Sequence, residues 1–167
     1  MIALEITEIG LFMNKLLKSE MFDHFLLQEA VITSGASFVI DGHINKEFYS
    51  QEELDELCLS EVKCLPFSML RTRCFDLIKG KKTPTSFKFV FTLSPDNMRR
   101  TIESSESSYS YEDISGIYLN LKYQNQLLTC TTGISYNIFS PDKSLEANWD
   151  ELIKKFLYKH DVNYEEL

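Results

Sequence analysis

The sequence predicts an α+β fold, an antiparallel sheet covered on one face by amphipathic helices. Three observations support this. Short runs alternate apolar and polar residues with period two, as in Phe87, Phe89 and Phe91 against Lys88 and Thr92. Other segments carry apolar stripes at helical spacing, such as Trp149, Leu152, Ile153, Phe156 and Leu157. Turn signals separate neighbouring strand-like runs by only two or three residues, which joins them as hairpins.

Met1 to Ile6 alternates and reads as a strand, after which Thr7 caps a helix with Ile9, Phe12, Met13, Leu16 and Leu17 on its apolar side. Phe25 to Thr33 and Ser37 to Ile44 form a hairpin about Ser34, Gly35 and Ala36. Ser50 with Glu53 is a capping-box pair that opens a short acidic helix. A longer helix follows Pro66, with Phe67, Leu70, Cys74, Leu77 and Ile78 inward, Arg71, Asp76 and Lys79 exposed, and Gly80 ending it. Ser86 to Leu93 is a strand, and Ser94-Pro95 starts a helix through Met98 and Ile102. Glu103 to Asp113, rich in serine and acid, reads as a mobile loop because it has little apolar surface to bury. Ile117 to Tyr123 and Gln126 to Phe139 make a second hairpin around Gln124 and Asn125, and Ser144 caps the last helix.

At 167 residues with 44% apolar content, the chain predicts one domain, residues 1–167. Residues 1–79 and 86–159 repeat the order strand, helix, two strands, helix, a pseudo-duplication of element order without residue identity. In topology this resembles the domain of ring-forming DNA processivity clamps and, more loosely, the helix-grip folds. The chain has no 18-residue apolar run and no basic, apolar leader, so no membrane association and a cytoplasmic location are expected.

The four cysteines, Cys58, Cys64, Cys74 and Cys130, contain no C-x-x-C pair and read as free thiols. His24, His43 and His160 lie far apart, so neither a metal nor a cofactor is expected. Gly80-Lys81-Lys82-Thr83 lacks the earlier glycine of a phosphate loop and leads into a strand.

Net charge is −8, which opposes nonspecific binding to nucleic acid. Between Met69 and Arg100, however, eight basic residues face two acidic ones, a local balance of +6 that leaves −14 on the rest. Arg71, Arg73, Lys79, Lys81, Lys82, Arg99 and Arg100 are therefore candidates for binding a protein partner or a phosphate-bearing ligand, with nucleic acid less favoured. The same side chains also suit solvated helix faces. A second candidate lies at Asp41, His43 and Lys46, where a regular strand would place Asp41 and His43 on one face as a base and its orienting partner. The polar face of a hairpin strand is the plainer reading of the same residues. Three readings stay open: a noncatalytic binding or interaction module, an enzyme around Asp41, His43 and Lys46, and a clamp-like factor that assembles on DNA.

The strings FDHFLLQEA, FVIDGHINKEFYS, CFDLIKGKKTPTSFKFVFTLSP and DKSLEANWD give the chain a further likeness. It resembles a family of uncharacterised bacterial proteins, a domain of unknown function found in clostridial anaerobes, over nearly its whole length. The resemblance implies a bacterial cytosolic protein and carries no catalytic or binding residues.

Overall fold

The period-two runs become the strands of one antiparallel sheet in the computed structural model, which describes residues 1–167. In chain order the elements are β1 (Ala3–Ile6), α1 (Ile9–Lys18), β2 (Leu26–Thr33), β3 (Ser37–Asp41), α2 (Gln51–Glu56), α3 (Phe67–Ile78), β4 (Ser86–Thr92), α4 (Pro95–Ser104), β5 (Ile114–Gln124), β6 (Leu127–Tyr136), α5 (Ser144–Lys159) and β7 (Tyr164–Glu166). Short 3-10 turns occupy Lys46–Phe48 and Tyr111–Asp113. The seven strands lie in the order β3-β2-β4-β5-β6-β1-β7, and every pairing is antiparallel. The architecture is α+β, as the patterning predicts.

Strand alternation sorts the sheet into two faces. Leu4, Cys130, Leu121, Phe89 and Ala30 stand in one register row across five strands, and all are buried. Phe12, Leu16 and Leu17 of α1 and Leu145, Trp149, Ile153 and Leu157 of α5 join the same buried cluster of 30 residues. Aromatic rings knit it together. Phe22 stacks on Phe91 at 4.9 Å between centroids and meets Phe156 edge-on at 5.4 Å. The opposite face carries Glu29, Lys88, Asn120, Lys122, Thr129 and Thr131, exposed or half-buried, with Lys88 paired to Glu29 at 2.9 Å.

The two halves share element order, but the pairing differs. β1 lies beside β6, with Leu4 opposite Cys130, and the whole of β4, β5 and β6 separates it from β2. The second half keeps its three strands contiguous, so the likeness between the halves does not extend to the sheet.

Several local expectations change for physical reasons. Thr7 does not cap α1; its backbone N–H and its hydroxyl both donate to the Asn163 carbonyl, a neighbour that only the folded chain supplies. The β5–β6 turn falls on Asn125 and Gln126, one residue later than expected, and both adopt positive φ (53° and 63°), the pattern of a tight hairpin turn. Arg71 is not a free surface cation: it donates to the Ser19 carbonyl at 3.0 Å and pairs with Asp23, leaving its side chain 23% exposed. Ser144 is the first residue of α5 rather than its cap, and Asp142 takes over: one carboxylate oxygen accepts from the Ser144 backbone N–H at 2.9 Å and from its hydroxyl at 2.6 Å. β7 is polar and three residues long, too short to show a period.

The segment Glu103 to Asp113 is not featureless. α4 runs on to Ser104, Tyr111–Asp113 form a 3-10 turn, and the second Asp142 oxygen accepts from the Ser108 N–H and hydroxyl, both at 2.9 Å. The Tyr109 hydroxyl donates to the Asp142 carbonyl at 3.0 Å while its ring packs on Tyr136. Tyr109 joins the buried cluster, and the serine beside it finds its acceptor in Asp142.

These bonds, the Ser108 N–H foremost and then the Ser144 hydroxyl and N–H, hold the Asp142 carboxyl well below the usual carboxylate range. A carboxylate depressed on folding stabilises fully above its unfolded pKa near 4 and loses that contribution as pH falls through the folded value. Thermal melting from pH 7 down to pH 3 should therefore show a steeper loss for the parent than for Asp142→Asn. Parallel curves would remove Asp142 as the anchor of this loop.

Candidate functional site

The site begins with a glycine. The Gly42 N–H donates to the Gln28 carbonyl at 2.9 Å, and its own carbonyl accepts from the Leu65 N–H at 2.8 Å. A Cβ at Gly42 would lie 1.7 Å from the Leu27 oxygen, so only glycine allows the chain this close to β2. The β2–β4 register shifts between Leu27 and Glu29, opening the strand at the same place. Past Gly42 the chain leaves the sheet as an arm, residues 43–64, and returns where Cys64 bridges His43 in antiparallel fashion.

Within the arm, Ser50 and Glu53 form the expected capping box, each side chain accepting from the other's backbone N–H at 3.1 Å. Cys58 ends the turn after α2 with φ 57°, and Leu54 and Leu59 anchor the arm by their burial.

Between the arm and the first turn of α4 lies a cleft of about 370 Å³, at the end of the sheet where β2 begins, β4 ends and β5 begins. Leu26, Leu93 and Met98 give it an apolar wall, and Gln28, His43 and Lys63 give it polar groups. Tyr118 folds over Gly116 on its floor, where an added Cβ would meet the phenol oxygen at 2.3 Å. A second hollow of about 530 Å³ adjoins it, sharing Glu61, Pro95 and Tyr111. On that side the Arg99 guanidinium sits 4.4 Å from the Tyr111 ring centroid and pairs with Asp96 at 3.3 Å.

Asp41 and His43 are in contact. Asp41 Oδ1 accepts from the His43 backbone N–H at 3.0 Å and lies 2.6 Å from His43 Nδ1. The backbone bond, then the ring bond, hold the Asp41 carboxyl below its ordinary value. Both side chains remain open to water, 73% and 57% exposed, and of the two only His43 lines the cleft. Lys46 does not join them; its Nζ donates to the Ser60 carbonyl at 3.3 Å within the arm. Cys64 does join the cleft. It is 3% exposed, and burial, reinforced by the Asp41 charge and opposed by Lys63, pushes its thiol up.

The basic candidates are dispersed. Lys79, Lys81 and Lys82 lie before β4, at the end where the Thr85 N–H donates to the Thr33 carbonyl, whereas Arg99 and Arg100 follow its other end. Six residue steps of strand separate those ends by on the order of 20 Å. Lys79 pairs with Asp76 at 3.0 Å, while Arg73, Lys81, Lys82 and Arg100 are exposed and form no ion pair. Of the basic set, Arg99 alone borders the paired hollows.

Cys64, Gln28, Tyr111 and Tyr118 escaped the sequence reading because each reaches the cleft through strand register or chain return, and none belongs to a short motif. The one available signal was Gly42 between Asp41 and His43, a glycine where a strand should continue.

Fold and cleft together define a protein with one helix-covered sheet face, one open face and a small-molecule-sized cleft at a sheet end. The chain belongs to the family of unknown function DUF5721, whose model matches residues 15–165. No curated protein and no solved structure matches it. No helix is long and apolar enough to cross a membrane.

Proposed function

We propose that the protein is a binding module whose ligand is a small amphipathic molecule seated between the arm and α4. The cleft supports this reading: its volume of about 370 Å³ falls within the ~300–1,000 Å³ typical of small-ligand sites. An apolar body would rest on Leu26, Leu93 and Met98, with a polar end directed to His43 and Lys63. This reading moves the binding site from the basic set as a whole to the cleft that Arg99 flanks. Lys81 and Lys82 then serve as a solvated surface or as contacts for an acidic partner. A bacterial, clostridial source and a cytosolic setting complete the proposal, and rest on the likeness carried by the sequence strings.

The test is a titration of the ¹⁵N-labelled chain with a panel of small aromatic amides and acids. Amide signals of His43, Cys64, Tyr111 and Gly116 should shift together and saturate, while those of Lys81 and Lys82 stay still. A panel that shifts only the lysines would return the site to the basic region. A catalytic reading of the same cleft is favoured by one observation, the 2.6 Å contact of Asp41 with His43 Nδ1.

A further inference from the structure

We propose that Cys64 is a nucleophilic thiol served by His43 as its base, with Asp41 as positioning residue, and that the cleft accepts a small acyl group in ester or thioester linkage. The proposal goes beyond binding, and it needs the cleft to be open to a small molecule as the binding reading does.

Three features of the geometry carry it. His43 and Cys64 are antiparallel bridge partners, which puts their side chains on the same side with Cβ atoms about 5 Å apart. Both line the one cleft. Asp41 Oδ1, 2.6 Å from His43 Nδ1, fixes the imidazole proton on that nitrogen, so that Nε2 is left as an acceptor. The remaining cysteines lack this setting. Cys74 and Cys130 are buried outside the cleft with thiols pushed up to about 12, and Cys58 is exposed in the adjoining hollow without a histidine beside it.

Burial keeps Cys64 in the thiol form at rest, so attack requires a partner to remove its proton. As the sulfur bonds to the acyl carbon, the proton passes to His43 Nε2. The bond from carbon to the leaving oxygen or sulfur then breaks, and the leaving group takes that proton. Water, deprotonated by the same nitrogen, subsequently adds to the thioester; the carbon–sulfur bond breaks and the proton returns to the Cys64 sulfur. Gln28 and Lys63, which also line the cleft, carry N–H groups that would donate to the carbonyl oxygen.

The experiment uses p-nitrophenyl acetate on the full chain carrying Cys58→Ser, with release of nitrophenolate followed from pH 5 to pH 10 and the acetylated residue located by mass spectrometry. One acetyl group on Cys64 per chain is expected, with a rate that rises across this pH range. His43→Ala should slow the reaction at pH 7 by about 100-fold and move the rise towards that of an unassisted thiol, and added imidazole should restore the rate. Asp41→Asn should lower the rate without changing the residue acetylated. Circular dichroism of each variant separates loss of chemistry from loss of fold. Acetylation of Cys64 at an unchanged rate in folded His43→Ala, or no acetylation of Cys64 in the parent, overturns the proposal. Saturation of the rate with ester concentration reports on binding separately: a linear dependence with the histidine effect intact would count against the binding reading alone.

Discussion

Gly42→Ala is expected to lower stability by about 3 kcal/mol, since inserting a methyl group into a packed region costs about 1–3 kcal/mol and more where backbone blocks it. Here the obstacle is backbone: the new Cβ would lie 1.7 Å from the Leu27 oxygen and 2.7 Å from its carbonyl carbon. No rotamer change can relieve that. The chain must retreat from β2, and retreat breaks the bonds from the Gly42 N–H to Gln28 and from the Leu65 N–H to Gly42. For a chain of this size the midpoint of thermal unfolding should fall by about 6–12 °C, at 2–4 °C per kcal/mol. Gly35→Ala is the control, because nothing lies within 4 Å of its added carbon. If Gly42→Ala melts within about 2 °C of Gly35→Ala, less than 1 kcal/mol by the same scale, the close approach is not a constraint. Since Gly42 also sets where the arm departs, a folded Gly42→Ala protein should lose ligand-induced shifts at His43 and Cys64.

Phe91→Ala should cost about 3–5 kcal/mol, the usual range for removing a buried phenylalanine ring. Phe91 is fully buried in the middle of the aromatic cluster, stacked on Phe22 at 4.9 Å, edge-on to Phe67 at 5.1 Å and 5.8 Å from Phe25. The surrounding rings are held by β4, α3 and the turn after α1, so the space left cannot close by moving one element. Phe91→Leu should cost less than Phe91→Ala, since it keeps most of the volume. Phe139→Ala, at a ring that is 97% exposed, should be nearly neutral. Urea denaturation with a shared m-value measures all three. Equal losses for Phe91→Ala and Phe139→Ala would mean that the cluster contributes nothing beyond ordinary surface.

Much of this fold was legible because its causes are local. Phe87, Phe89 and Phe91 alternate, and all three are buried on β4. Ser94 and Pro95 start α4, with the Ser94 hydroxyl accepting from the Asn97 N–H at 3.3 Å. What the sequence concealed arises from distant partners. Ser144 has the right chemistry for a cap, but the helix starts at Ser144 itself, and a carboxylate two residues earlier accepts from its N–H. Nothing in the composition of Glu103 to Asp113 reveals that Asp142 will supply its missing acceptor. The site divides along the same line. Asp41 and His43 are two residues apart and were read together, whereas Cys64 reaches them only after the arm has folded back. The basic residues, grouped in sequence, are set apart by the rigid length of β4.

The sheet order imposes a sequence of events on synthesis. β1 is made first, yet its two neighbours, β6 and β7, are made last, with Leu4 opposite Cys130 and Ile6 opposite Tyr164. While the intervening strands emerge and pair with one another, the nascent β1 has no edge to join. Its apolar side must wait with α1, in a partly formed state, until the ribosome has delivered β6 and β7.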